Sequence, residues 1–224
     1  GSVRGICVSA PGLIEGEVFE RTIVIVDTGE ADAYIVDVFR VQGGADHTRF
    51  LLGPFGPMQT TGLDLAPAPD YGHDTLMRAF QADATPAEGW AADWTLEDRA
   101  GVAPPGAAVH LRYTDLSRGV EAGICESWAC YGSYGNKDEV WLQRPWLRRR
   151  AQDTPLASTF AGVLEPYVDQ PVVASVCRVD DGAGDRADEA LDLNIELASG
   201  GRDRVRVAAG GGVSVERNAG GSHS

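Results

Sequence analysis

Apolar and polar residues alternate strictly from Ala190 to Leu197, so that Leu191, Leu193, Ile195 and Leu197 share one face of an extended strand while Asp192, Asn194 and Glu196 share the other. Arg204 to Val207 and Val213 to Glu216 repeat the pattern, and the Gly210-Gly211-Gly212 turn between them predicts a hairpin or meander. Thr22 to Val26 is apolar on both faces, as expected of a strand covered on each side, and Asp27-Thr28-Gly29-Glu30 supplies a turn after it. In the next strand, Tyr34 to Val41, Ile35, Asp37 and Phe39 face one way and Val36, Val38 and Arg40 the other. Each face therefore carries one charge among apolar neighbours. Further strands are expected at Val3 to Val8, Arg49 to Leu52, Ala91 to Leu96, Val109 to Tyr113, Val120 to Glu126, Val140 to Arg150, Thr159 to Leu164 and Val172 to Val179. No segment reads as a long, capped amphipathic helix. About a dozen short strands punctuated by Gly and Pro predict an all-β protein, a large and mainly antiparallel β-sandwich, rather than a βαβ fold. Gly53 to Glu88, rich in Pro, Gly and Asp, reads as one extended functional loop.

No repeat of fixed spacing points to a propeller or solenoid. The 224 residues suit one continuous core, expected over 1–217, followed by a flexible tail at 218–224. With 33 acidic and 19 basic residues, a net charge of −14 argues against a nucleic-acid partner, which needs a basic surface to neutralise phosphates. There is no apolar run of the roughly 20 residues a membrane-spanning helix requires, so no membrane partner is expected. Cys7, Cys125, Cys130 and Cys177 allow two disulfides or serve as small buried hydrophobes, and the Cys125/Cys130 spacing does not suit a zinc ribbon.

A charge on an apolar strand face needs a partner, because an unpaired buried ion costs several kcal/mol. For Asp37 the partner is a metal or ligand on one reading, and an arginine or loop amides on the other. Gly43-Gly44 makes a turn that aims Asp46 and His47, which makes His47 an acid–base candidate if it faces a cleft and a solvated loop residue if it does not. Tyr71 and His73, in the polar loop Asp70-Tyr71-Gly72-His73-Asp74, are the other candidates for proton transfer. Arg144, Arg148, Arg149 and Arg150 lie with Trp141 and Trp146 in the one cationic and aromatic cluster of the chain. Guanidinium forks suit carboxylates and sulfates and an indole stacks on a sugar ring, although a strand balanced by nearby acids would read the same way. His110 is expected to point outward, and Pro166 to end the strand before it.

Two blocks go beyond pattern. Tyr34-Ile35-Val36-Asp37-Val38-Phe39-Arg40-Val41-Gln42-Gly43-Gly44-Ala45-Asp46-His47, with Gly53-Pro54-Phe55-Gly56, resembles the sheet domain of heparinase II/III-like polysaccharide lyases. Ser158 to Tyr167 resembles a second block of that domain, with Asp93-Trp94 and Val109-His110-Leu111-Arg112 between them in a compatible order. The resemblance implies a two-part enzyme: a helical toroid and a β-sandwich holding an acidic, uronate-containing polysaccharide at their junction for β-elimination. It implies a secreted or periplasmic protein. The expected substrate contacts, chosen for the chemistry of their side chains, are Arg40, Arg144, Arg148, Trp141 and Trp146. The resemblance also implies a divalent metal at Asp37, where Glu20 stands for a ligand histidine and Leu52 occupies a position often held by another. No cofactor is certain. This chain would be the sheet half, inactive without its toroid; a non-catalytic carbohydrate-binding or structural sandwich is the alternative, and a self-contained enzyme using His47, His73 and Tyr71 a third.

Overall fold

The computed structural model describes residues 1–14, 16–30, 32–72, 74–130, 139–151, 155–179 and 188–218, with the side chain of Cys130 left aside. Within them the strands are β1 (Val3–Ser9), β2 (Val18–Asp27), β3 (Ala33–Gln42), β4 (Asp46–Phe50), β5 (Met58–Thr61), β6 (Ala66–Pro67), β7 (Met77–Asp83) and β8 (Ala91–Thr95). There follow β9 (Val109–Asp115), β10 (Glu121–Cys130), β11 (Glu139–Arg150), β12 (Ala157–Val168), β13 (Val173–Arg178), β14 (Leu191–Leu197), β15 (Arg202–Val207) and β16 (Val213–Asn218). They form three antiparallel sheets: a seven-stranded sheet ordered β1-β2-β3-β12-β9-β8-β5, a five-stranded sheet ordered β4-β11-β10-β7-β6, and a four-stranded meander β13-β14-β15-β16.

The seven-stranded sheet is the middle layer. Strand parity sends Tyr34, Val36 and Val38 of β3 and Ala161 and Val163 of β12 into a core shared with the meander, where they meet Leu191, Leu193, Ile195, Val205 and Val207. From the opposite face Phe160 of β12, Tyr113 of β9 and Trp94 of β8 pack on Ala122, Ile124 and Leu147 of the five-stranded sheet. Burial of each large aliphatic side chain stabilises by about 1.5–3 kcal/mol, so β3 and β12, which contribute to both cores, are the spine of the fold. Polar clips fix the meander on this spine. Buried Asp203 of β15 accepts Tyr34 Oη at 2.8 Å and a fork from Arg217 Nε and Nη2 at 2.8 and 2.9 Å. Buried Glu165 of β12 accepts the Val173 N–H at 2.6 Å and that of Val172, which holds the start of β13 against the middle sheet.

The sandwich and the C-terminal meander are as the alternation predicts. The 53–88 segment, expected as one functional loop, instead contains β5, β6 and β7, and its intervening residues Ala68 and Tyr71 cover the outer face of the five-stranded sheet over Phe80, Cys125 and Trp146. Regular alternation fails in β7 because Ala79 adopts φ of 53°, which disrupts the period that marks a strand. Pro166, expected to end its strand, lies inside β12. Beyond Leu164 that strand pairs with β9 and no longer with β3, so one side of Pro166 is an open edge where the missing N–H costs little. Among the described side chains Cys7, Cys125 and Cys177 are free thiols.

Packing between β12 and β9 requires a glycine. A Cβ on Gly162 would lie 2.3 Å from the Tyr113 ring, and that ring cannot withdraw because its hydroxyl donates to buried Asp115 at 2.7 Å. Gly162→Ala is therefore expected to lose roughly 1–3 kcal/mol in urea unfolding, as overpacked cores do. Gly5→Ala on the exposed edge strand, where the new carbon meets nothing closer than 3.6 Å, should change the midpoint little. Equal losses at both positions would contradict this packing.

Candidate functional site

Asp37 lies at the centre of the face that the resemblance marks for chemistry. It is buried and accepts Arg21 Nε and Nη2 from β2 at 3.0 and 2.7 Å, together with Arg49 Nη2 from β4 of the facing sheet. Burial alone would raise its carboxyl; the hydrogen bonds from Arg21 and the Arg49 charge overcome that and hold it below the usual carboxylate range. Above these ions opens a largely apolar hollow of about 830 Å³, lined by Ile6, Val8, Leu13, Ile23, Leu52 and Leu164 among others.

The donors here do not fit a divalent cation. Two guanidiniums already occupy the Asp37 carboxylate, and exposed Leu52 offers no ligand atom. Glu20 projects from the other face of the sheet, where it accepts the Gly210 N–H at 3.1 Å and stands 3.8 Å from Arg40. The expected Glu20/Asp37 metal pair is thus divided by the sheet, and no cluster of three or more His, Cys, Asp or Glu that could hold an ion occurs among the described residues. Arg40, expected to touch substrate, is 1% exposed and donates to Val207 O at 2.8 Å under the meander, which closes it off from any polysaccharide.

The acid–base candidates do not converge. His47 is buried, with Nδ1 2.8 Å from Ser158 Oγ and Nε2 bonded at Gly43 O, so the ring locks the β3–β4 turn to β12 rather than facing a cleft. Tyr71 packs on the outer face of the five-stranded sheet, edge-on to Phe50 with centroids 5.3 Å apart. His73 lies outside the described residues. Of the cationic strand, Trp146 is buried against Phe80, and Trp141 is half-buried with the Arg78 guanidinium 3.8 Å from its ring centroid. Arg144 Nε donates to Leu51 O at 3.3 Å. Arg148 is more open, forked onto Asp46 with Nε at 2.8 Å, and borders a hollow of about 540 Å³ with Arg118, Arg150, Glu88 and Glu121.

On the meander side of the middle sheet, sequence reasoning missed a polar groove. The meander covers β2, β3 and part of β12 but leaves β9, β8 and β5 open. Register places Gln59, Asp93, Arg112 and Glu165 in one row across β5, β8, β9 and β12, and Thr95, His110 and Tyr167 in the next. Asp93 joins two of them: its Oδ1 lies 3.1 Å from His110 Nδ1 and its Oδ2 accepts Tyr167 Oη. Burial and the neighbouring carboxylate push the Tyr167 hydroxyl up to about 12, so it stays a donor. Arg112 is fixed by Glu165 Oε2 at 2.7 Å and by Val173 O at 2.7 Å. Outward-facing His110 was legible from strand alternation; its partners were not, because the strand order that brings them together is non-local.

No family model and no curated protein matches the sequence. Solved structures do. The fold is shared with polysaccharide lyases: with the heparan sulfate lyase HepC from Pedobacter heparinus it superposes at a TM-score of 0.52 and 12% identity, over 92% of this chain and 26% of that one. A heparinase III, the BT4657 gene product, aligns at a TM-score of 0.51 and 10% identity, over 93% of this chain and 26% of that one. The chain spans about a quarter of the length of the structures it matches.

Asp37→Ala is expected to cost about 3–5 kcal/mol, because it leaves the buried Arg49 uncompensated, whereas half-exposed Arg21→Ala should cost about 1 kcal/mol. Similar small losses for both would show that Asp37 is not the linchpin of this face. A second expectation concerns Asp115. Burial raises its carboxyl to about 6, against hydrogen bonds from Tyr113 and Ser117. The folded chain therefore keeps a proton that the unfolded chain releases between about pH 4 and 6, and this group lowers stability as pH rises through that window. Replacing it by Asn removes the effect. The stability of Asp115→Asn relative to the parent should improve by about 2 kcal/mol from pH 4.5 to pH 7.5 in urea titrations, and a pH-independent difference would refute the assignment.

Proposed function

We propose that this chain is the sheet domain of a heparinase II/III-like lyase, forming one wall of a cleft for an acidic, uronate-containing polysaccharide and depending on a helical toroid domain for β-elimination. The observation that carries the reading is the superposition of nearly the whole chain on about a quarter of a heparan sulfate lyase. The sequence blocks around Asp37 and Ser158 support it independently, since they lie on the adjacent spine strands β3 and β12. β-Elimination needs a base at the carbon beside the carboxylate, a donor for the leaving oxygen and neutralisation of the carboxylate charge. Around Asp37 two arginines supply positive charge, but no described residue there is poised as base and acid together, which is why the isolated chain is assigned no turnover.

A specific observation favours the second reading, a non-catalytic carbohydrate-binding or structural sandwich: the Asp37 carboxylate already accepts three hydrogen bonds from two arginines at the position where the resemblance implies a metal. The two readings part experimentally. Incubated with heparan sulfate, the chain alone should give no rise in the ultraviolet absorbance of unsaturated uronate, and addition of a helical toroid domain in trans should produce one. Rapid turnover by the chain alone would overturn the proposal, while glycan binding without turnover in either mixture would favour the second reading.

The charged wall under this proposal is the β11 strip. Arg148→Ala should weaken binding of a heparan sulfate oligosaccharide several-fold and flatten its salt dependence, with little change in the urea midpoint because the Asp46 pair is partly exposed. Unchanged affinity and salt dependence would remove the strip from the cleft.

A further inference from the structure

We propose that the polar groove over β5, β8, β9 and β12 binds a neutral oligosaccharide through its hydroxyl groups, at a site separate from the Asp37 face. The groove measures about 620 Å³ and is walled on one side by Val173 to Val176 of β13, the edge strand of the meander. Its volume lies within the ~300–1,000 Å³ of ordinary ligand sites. Its floor is a flat array of hydrogen-bonding side chains at strand spacing, a geometry that meets a chain of sugar hydroxyls along its length.

Each part of the array has capacity to spare. Asp93 takes one hydrogen bond on each oxygen, from His110 and Tyr167, and a carboxylate has about four lone-pair sites, so each oxygen can accept one more donor, as from a vicinal diol. His110 turns Nδ1 to Asp93 and leaves Nε2 for a ligand hydroxyl, which can either donate or accept. Arg112 spends Nε and Nη2 on Glu165 and Val173, and its Nη1 bonds to no described residue. Gln59, opposite Asp93 on β5, adds both a donor and an acceptor. The Tyr167 and His110 rings stack with centroids 4.8 Å apart and planes 10° off parallel, which holds both polar tips in fixed directions.

Charge selects the ligand class. Asp93 and Glu88 line the groove and Glu165 lies beneath Arg112, so three carboxylates stand against two guanidiniums, Arg112 and the Arg118 that pairs with Glu88 at 3.8 Å. A sulfated or carboxylated chain would be repelled, and an apolar ligand would strip water from the free acceptor sites of Asp93 and from Arg112 Nη1 without replacing its hydrogen bonds. A neutral, hydroxyl-rich molecule satisfies the array without adding charge. This inference does not use the lyase reading, so a chain that never supports elimination can still pass its test.

The test is amide chemical-shift mapping of the ¹⁵N-labelled chain titrated with cellotetraose, xylotetraose and mannotetraose, and with a heparan sulfate tetrasaccharide for comparison. At least one neutral probe should give saturable shifts confined to β5, β8, β9, the Glu165–Tyr167 end of β12 and the adjoining edge of β13. The double variant Gln59→Ala/Thr95→Ala replaces exposed side chains that make no described side-chain hydrogen bond, so it should fold normally and weaken that probe about tenfold, the loss of about 1.4 kcal/mol. Asp93→Ala should abolish binding. The proposal is overturned if none of the neutral probes binds, if shifts fall elsewhere, if the double variant binds as the parent does, or if the heparan sulfate tetrasaccharide occupies the groove more tightly than every neutral probe.

Discussion

Asp37 and Arg49 meet across the two sheets, and most of the architecture on that side follows from the need to keep them together. Neither charge could stay in so dry a place alone, because an unpaired buried ion costs several kcal/mol, and the pair holds only while β4 of the five-stranded sheet lies over β3 of the middle one. His47 reinforces the same apposition from one turn away by bonding to Ser158 on β12. The arrangement has a chemical consequence. A carboxylate that already takes three hydrogen bonds from the cations Arg21 and Arg49 has little left for a metal, so a position that the resemblance assigns to one here carries a structural ion cluster.

The two faces of the middle sheet are thereby given different tasks. Toward the five-stranded sheet it is closed by aromatic packing around Trp94, Tyr113 and Phe160, and the apolar hollow opens beside that packing, between β1, β2 and β3 on one side and β4 with Leu51 and Leu52 on the other. Toward the meander it is covered for part of its width. Glu165 holds the first residues of β13 by their N–H groups and Asp203 ties β15 to Tyr34, which sets where the meander stops and the groove begins. The groove is then a by-product of layer size: a four-stranded sheet cannot cover a seven-stranded one.

Much of this was written in local pattern. Alternation in Leu191 to Leu197 and in Tyr34 to Val41 marked strands and correctly separated Asp37 from Arg40 onto opposite faces. Local pattern could not reveal β5 to β7, where Pro and Gly punctuate short strands and Ala79 breaks the period. Nor could it reveal the fate of His47, whose partner Ser158 lies 111 residues away, or the gathering of Asp93, His110 and Tyr167. A polar residue on a strand reads as solvated until the neighbouring strands are known. Catalytic and binding candidates chosen by residue type therefore scattered over three surfaces, while an organised polar array formed from residues that looked ordinary one at a time.

Native-state hydrogen exchange tests most directly the claim that β3 and β12, buried on both faces, hold the three layers together. Amides in these strands, at Val36 to Val38 and Phe160 to Val163, should be the slowest in the chain and should open only with global unfolding, with edge strands β1 and β16 exchanging much sooner. If the meander's β14 amides remained protected while those of β3 and β12 exchanged, the layers would be independent units and the spine assigned to this fold would be wrong.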